Sequence, residues 1–172
     1  MSWWPAPEQG AGKGPEQVEL CYTSAMTKKD KVVLVSVPVL FRKKSKKLQW
    51  FVVCQGEEER EWVLPRTFVR RGESSVRAAI RLMAEDGGMK VRVLEEVGRT
   101  GGATKVNGEA VSQRYLYYLA EHQENEEVLA FEETAWLEYK RATQKLSQKR
   151  DKQMLKSARE VLKTLDLEDF VH

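Results

Sequence analysis

The chain is poor in the residues that build covalent or metal scaffolds. Its two cysteines, Cys21 and Cys54, stand alone, and its two histidines, His122 and His172, lie far apart. A disulfide framework and a Cys-based zinc site are excluded on that count, a His-rich metal site is not expected, and a reducing compartment fits. Long apolar runs are also missing. The longest, Val32 to Phe41, is about half of what a membrane helix needs. Residues 1–20 have no apolar core of a secretory signal and no Arg, so neither a signal nor a transit peptide is expected, and the cytoplasm is the expected location. Charge of one sign is lacking too. Lys+Arg 29 against Asp+Glu 26 leaves +3, too mild to mark a general polyanion binder, so local clusters carry more information than the total.

What is present suffices for one domain. A chain of 172 residues, 41% hydrophobic, buries a sizeable core without staples. Residues 1–29 read as an irregular arm, broken by Pro5, Pro7, Pro15 and a Gly-rich stretch. The GAGKG string in that arm is no phosphate loop, because Pro7 and Gly14 stand where the motif needs Gly and Ser/Thr. Trp3 and Trp4 are expected to dock on the body or on a partner. Residues 30–165 read as the domain and 166–172 as a tail.

Within the domain, Val32–Phe41 is a β-branched apolar run and Leu48–Cys54 its return strand, with a lysine-rich turn between them. Pro38 argues for a bulge or bend. Further strands are expected at Lys90–Val97, Gln113–Ala120 and Thr134–Leu137, with a tight turn at Asn107-Gly108. A helix over Ser75–Asp86 places Val76, Ala79, Ile80 and Met83 on one stripe, capped by Ser74 or Ser75 and stopped by Gly87-Gly88. A second helix over Arg150–Leu165 aligns Met154, Leu155, Ala158, Val161, Leu162 and Leu165. Strands, one helix, more strands and a terminal helix make a mixed α/β or α+β layer protein.

Residues 62–89, WVLPRTFVRRGESSVRAAIRLMAEDGGM, resemble the Nudix box: Gly, five residues, Glu, seven residues, then Arg-Glu-hydrophobic-any-Glu-Glu-any-Gly-hydrophobic. Glu73 falls on the first Glu, Arg81 on the Arg, Met83 on the hydrophobic place, Glu85 on the first Glu of the pair, Gly88 on the late Gly and Met89 on the last position. Trp62-Val63-Leu64-Pro65-Arg66 is similar to the lead-in common in these proteins. The resemblance covers about residues 30–165 and implies an α/β/α sandwich with a mixed sheet. It also implies a Glu73–Arg81 structural pair, Mg²⁺ or Mn²⁺ held by the helix carboxylates, and hydrolysis of a nucleoside diphosphate linked to another moiety.

Three positions depart from the pattern. Thr67 replaces the opening Gly, Leu82 the Glu after the Arg, and Asp86 the second Glu of the pair. Carboxylates at i, i+3 and i+4 share a helix face and can hold a hard cation. Here the trio is Leu82, Glu85 and Asp86. The expected metal ligands are Glu85 and Asp86, Glu85 being also the candidate catalytic residue, with Arg66, Arg70 and Arg71 as phosphate contacts. Two readings follow: a weakened or non-catalytic domain that binds a phosphorylated ligand or nucleotide, with RNA or a protein as alternative partner, or an active Mg²⁺-dependent hydrolase in which Glu57, Glu58, Glu59, Glu109 or Glu124 fills in for Leu82. A non-catalytic subunit of a larger assembly, using the arm and the terminal helix, is the third. The lysines at 43, 44, 46 and 47 read either as edge protection or as a phosphate-binding patch.

Overall fold

In the computed structural model, alternation along each strand sorts the side chains onto two faces of one sheet. The structure describes residues 32–125 and 131–169, without the side chains of 124, 125 and 167–169; the expected arm with Trp3 and Trp4 lies outside them. The strands are β1 (Val32–Lys44), β2 (Lys47–Gln55), β3 (Glu61–Val63), β4 (Thr67–Phe68), β5 (Met89–Val106), β6 (Glu109–Asn125) and β7 (Glu133–Leu137). The helices are α1 (Ser75–Glu85), α2 (Tyr139–Lys145) and α3 (Lys149–Asp169). The sheet runs β3-β2-β1-β6-β5, with β4 also on β1 and β7 also on β2. β1 and β6 are parallel; the other pairs are antiparallel. This is the expected sandwich with a mixed sheet.

Odd-numbered residues of β1 (Val33, Val35, Val37, Val39), with Tyr115, Tyr117 and Leu119 of β6, pack under Ala142, Leu146, Leu155 and Ala158 of the α2–α3 side. The opposite face carries Leu40, Phe51, Val53 and Ala120 under Leu82 and Met83 of α1, and Leu116 and Tyr118 against Ala79. The sheet is thus buried on both faces where β1 and β6 run parallel, as parallel pairing requires.

Pro38 makes no bulge. The β1–β6 register passes through Pro38↔Tyr118 without a shift. The Leu34 carbonyl accepts from Val69 N–H on the β4 side, so the peptide groups of even-numbered β1 residues face away from β6. The N–H that Pro38 lacks would point into the gap between the β4 partners at Val35–Ser36 and the β2 partners from Phe41, where no ladder bond is lost.

The stripe of α1 differs from the expected one. Its buried residues are Ala78, Ala79, Leu82 and Met83, while Ile80 is 39% exposed. The hydrogen bonds of Ser36 Oγ to the Ser75 carbonyl (2.6 Å) and between Ser75 Oγ and the Tyr118 hydroxyl (2.5 Å) fix the helix start on the sheet. With that end pinned, Leu82 turns inward and Ile80 out. Ser74 caps the helix by accepting from Arg77 N–H, and Gly88, at φ +58°, supplies the left-handed exit. β5 and β6 run well past their expected ends and close at Asn107-Gly108.

Candidate functional site

The loop from β4 into α1 is held by one carboxylate. Glu73 Oε1 accepts from Arg81 Nε (2.7 Å), and Oε2 accepts from Arg81 Nη2 (3.1 Å) and from Arg70 N–H (2.9 Å). Arg81 Nη2 also donates to the Phe68 carbonyl (3.0 Å). The pair ties the loop's two ends to the helix, with Gly72 at φ +75° closing the turn. Burial alone would raise the Glu73 carboxyl, but the hydrogen bonds from Arg81 and from Arg70 N–H, together with the Arg81 charge, hold it below its ordinary value of 4.5. Glu73 and Arg81 are therefore brought together.

At the other end of α1, Glu85 is exposed and faces two guanidinium groups: Arg70 Nη2 and Arg81 Nη1 each lie 3.9 Å from Glu85 Oε2. Asp86 is partly buried, and burial, with the Glu85 charge next, raises its carboxyl above the ordinary range. Arg71 is exposed in the turn. Glu85, Asp86, Arg70 and Arg71 thus share the loop-and-helix-end region.

Arg66 stands apart from that region. It is 2% exposed and lies on the α3 side, where Nη2 donates to Asp151 Oδ2 (2.5 Å), Nη1 to Gln148 Oε1 (3.3 Å) and Nε to the Leu64 carbonyl (3.2 Å). Asp151 also accepts from Leu64 N–H (3.1 Å) and from the Tyr117 hydroxyl (3.2 Å). Burial and the Asp151 charge push the Tyr117 phenol well up. Sequence reasoning misses Asp151, although a signal exists: it precedes Met154 and Leu155 by three and four residues, a lone acid on the apolar stripe of a helix. Strand alternation puts Tyr115 and Tyr117 on the α3 side and Tyr118 on the α1 side.

Thr67 needs no special backbone. It sits extended in β4, paired with Ser36 and buried. Leu82 is 1% exposed in the core of Leu40, Phe51, Val53 and Met83. It is a packing residue, and it does not border a solvent-open site.

A cation held by protein alone takes about six oxygens. Among the described residues, no three His, Cys, Asp or Glu side chains are grouped to hold a metal ion. Glu85 and Asp86 are two carboxylates with two guanidinium groups close by, and they do not make a protein-built metal site. Of the possible substitutes for Leu82, Glu57, Glu58 and Glu59 are exposed between β2 and β3. Glu109 pairs with Val106 at one end of the β5–β6 hairpin, while Met89 lies at the other, about 50 Å away at the strand rise. Glu124 pairs with Lys90, its side chain outside those described.

An aromatic group lies on the α1 side of the sheet, against the cluster that holds Leu82 and Met83. Trp136 is flanked by the Arg42 guanidinium (4.2 Å), Phe51 (5.0 Å) and the His122 ring (5.3 Å). His122 Nε2 is buried with no hydrogen-bond partner among the described residues, and burial and Arg42 lower its pKa. No helix among the described residues is long and apolar enough to cross a membrane.

A model of the NUDIX domain matches residues 31–158. Among solved structures, an Ap4A hydrolase of C. elegans superposes with a TM-score of 0.59 at 22% identity, covering 76% of this chain and 98% of that one. A NUDIX hydrolase from Nitrosomonas europaea gives 0.62 at 13%, covering 76% and 90%. The NUDIX domain of Shewanella oneidensis NrtR, solved with ADP ribose, gives 0.57 at 18%, covering 80% and 94%. At these identities the likeness is one of fold. No curated protein matches the sequence significantly.

Proposed function

Because the chain belongs to the NUDIX family, we propose that it binds a nucleoside-diphosphate-type or other phosphorylated ligand at the loop and C-terminal end of α1, with hydrolysis weakened or lost. The observation that carries this reading is Leu82. Where the family pattern has a carboxylate, this chain has an isobutyl group, and that group is 1% exposed in the core beneath α1. The change is built into the packing, so no small side-chain movement returns a ligand to that place.

The remaining groups suit binding better than metal-assisted attack. Arg70 and Arg71 present guanidinium groups beside the loop, and Arg70 faces Glu85 at 3.9 Å. Guanidinium groups match phosphate oxygens in a planar, bidentate manner. Glu73 and Arg81 hold the loop on which Arg70 and Arg71 sit. Arg66 contributes by positioning, through Asp151, rather than by direct contact. The family's ligands give the probes: Ap4A is in the name of one structural neighbour, and ADP ribose is bound in another.

The test is calorimetric titration with ADP ribose and Ap4A, beside a turnover panel of nucleotide sugars, dinucleoside polyphosphates and nucleoside triphosphates with Mg²⁺ and Mn²⁺. Binding without turnover supports the proposal. Turnover that Glu85→Gln abolishes would establish the active hydrolase instead. Absence of both binding and turnover would leave the assembly-subunit reading.

A further inference from the structure

Among the described residues, two tight hairpins share positive φ at both turn positions but differ in sequence. Asn107 (φ +50°) and Gly108 (φ +79°) join Val106 to Glu109, and Asn-Gly is the pair such a turn favours. Ser45 (φ +52°) and Lys46 (φ +63°) join Lys44 to Lys47. Two consecutive side-chain-bearing residues in the left-handed region work against stability. The ladder also sets Lys44 directly opposite Lys47, and like charges facing one another oppose pairing.

Partners within the fold answer only part of this charge. Lys43 meets Asp166 at 3.6 Å and Lys47 meets Glu138 at 2.9 Å. Lys44 and Lys46 form no ion pair among the described residues. The strand pairing of the hairpin also extends beyond its neighbours in the sheet. β1 pairs with β6 only as far as Phe41, and β7 pairs with β2 only from Trp50. Arg42–Gln49 therefore runs on as a two-stranded ribbon without a third strand in the described sheet. A cleft of about 390 Å³ opens at its root, with Phe41, Leu162 and Leu165 as apolar lining and, at its rim, Lys43 paired with Asp166 (3.6 Å) and Arg92 paired with Glu121 (2.7 Å).

We propose that this ribbon docks single-stranded nucleic acid, with Lys44 and Lys46 on the phosphates and the cleft open to an unstacked base. Turn residues and facing charges that both cost stability, compensated only in part by the Lys47–Glu138 pair, mark a functional element. Phosphodiester is the chemistry that fits. Residues 43–47 are Lys-Lys-Ser-Lys-Lys, with no apolar side chain to enter a lipid surface or to form the dry centre of a protein interface. The apolar floor of the cleft favours a splayed base over a closed duplex.

The experiment is fluorescence anisotropy with a labelled, mixed-sequence single-stranded RNA, its DNA counterpart and a duplex, over a salt series. Wild type is compared with Lys44→Glu/Lys46→Glu and with Ser45→Asn/Lys46→Gly. Wild type should bind single strands in a salt-dependent way and duplex more weakly. The glutamate variant should flatten the logarithmic salt slope by roughly 1.4, at about 0.7 for each phosphate that is no longer neutralised. The Asn-Gly variant, which installs the favoured turn, should melt higher and yet bind more weakly, which separates charge from folding. Equal affinity and slope in all three proteins would overturn the proposal. So would duplex bound as tightly as single strand, or capture by phosphatidylserine vesicles with no nucleic-acid binding.

Discussion

Arg66 and Asp151, separated by 85 residues in sequence, meet as an ion pair that solvent does not reach. The arginine belongs to the segment leading into the box and the aspartate to the first turn of α3. The same carboxylate accepts from Leu64 N–H and from the Tyr117 hydroxyl. One buried charge therefore ties together the lead-in segment, the central strand β6 and the C-terminal helix.

Removing one partner strands the other. Asp151→Ala should destabilise the protein by about 3–5 kcal/mol, because a buried guanidinium loses its counter-charge. Arg66→Met/Asp151→Leu should recover much of that loss, since apolar replacement of both partners relieves the desolvation of each. Urea unfolding of the two variants and wild type checks the difference. Equal loss in the single and double variants would show that packing around α3, and not the pair, sets the cost.

Leu82 makes a second stability prediction with a functional edge. Leu82→Ala opens a void among Leu40, Phe51, Val53 and Met83 and should cost about 2–5 kcal/mol. Binding of phosphorylated probes should change little below the melting temperature. Leu82→Glu should be worse, because its carboxylate enters an apolar core without a partner. Restoring the family's carboxylate therefore requires enlarging the pocket at Phe51 or Leu40 as well. A Leu82→Glu protein as stable as wild type would contradict the buried placement.

Much of this fold is legible in the sequence, and the misses have physical causes. Strands β1 and β2 are clear because β-branched apolar runs flank a basic turn. The Glu73–Arg81 pair is implied by the resemblance to the Nudix box, and the structure brings the two together. The stripe of α1 is ambiguous because Ile80 and Leu82 are equally apolar, and only the pinning of Ser75 by Ser36 and Tyr118 chooses between them. β5 and β6 run past their expected ends because Gly98, Gly101 and Gly102 break the apolar alternation while the backbone ladder continues through them. Arg66 reads as a phosphate contact from its place in the box, since nothing local reveals a partner on a distant helix.

Acid should release the Glu73–Arg81 tie. The Glu73 carboxyl sits below its ordinary value of 4.5 in the folded protein, so the unfolded chain binds protons first as pH falls. The stabilisation is complete above about 4.5 and is lost as pH drops through the lower folded value. Stability measured between pH 7 and pH 3 should therefore decline on the acid side of that point. Glu73→Gln should be less stable at neutral pH and should show a shallower decline. Parallel curves for the two proteins would assign the acid sensitivity to other carboxylates.

Arg70 offers the sharpest test of the site, because it serves both sides of it. Its backbone N–H holds Glu73, an interaction that any side chain preserves. Its guanidinium stands 3.9 Å from Glu85 and is largely exposed, so the ion pair itself contributes little to stability. Arg70→Ala should therefore leave the melting temperature nearly unchanged. It should weaken ADP ribose binding about tenfold or more, the loss of one charge-assisted hydrogen bond to phosphate being worth about 1.5–3 kcal/mol. The same substitution removes a cation beside Glu85 and should make the Glu85–Asp86 pair a better, though still weak, Mg²⁺ ligand. Titrations of the variant with ADP ribose and with Mg²⁺ alone should move in opposite directions. If both affinities fall together, Arg70 acts through loop order and not through charge. If neither moves, the phosphate contact lies elsewhere on the loop, with Arg71 the next residue to replace.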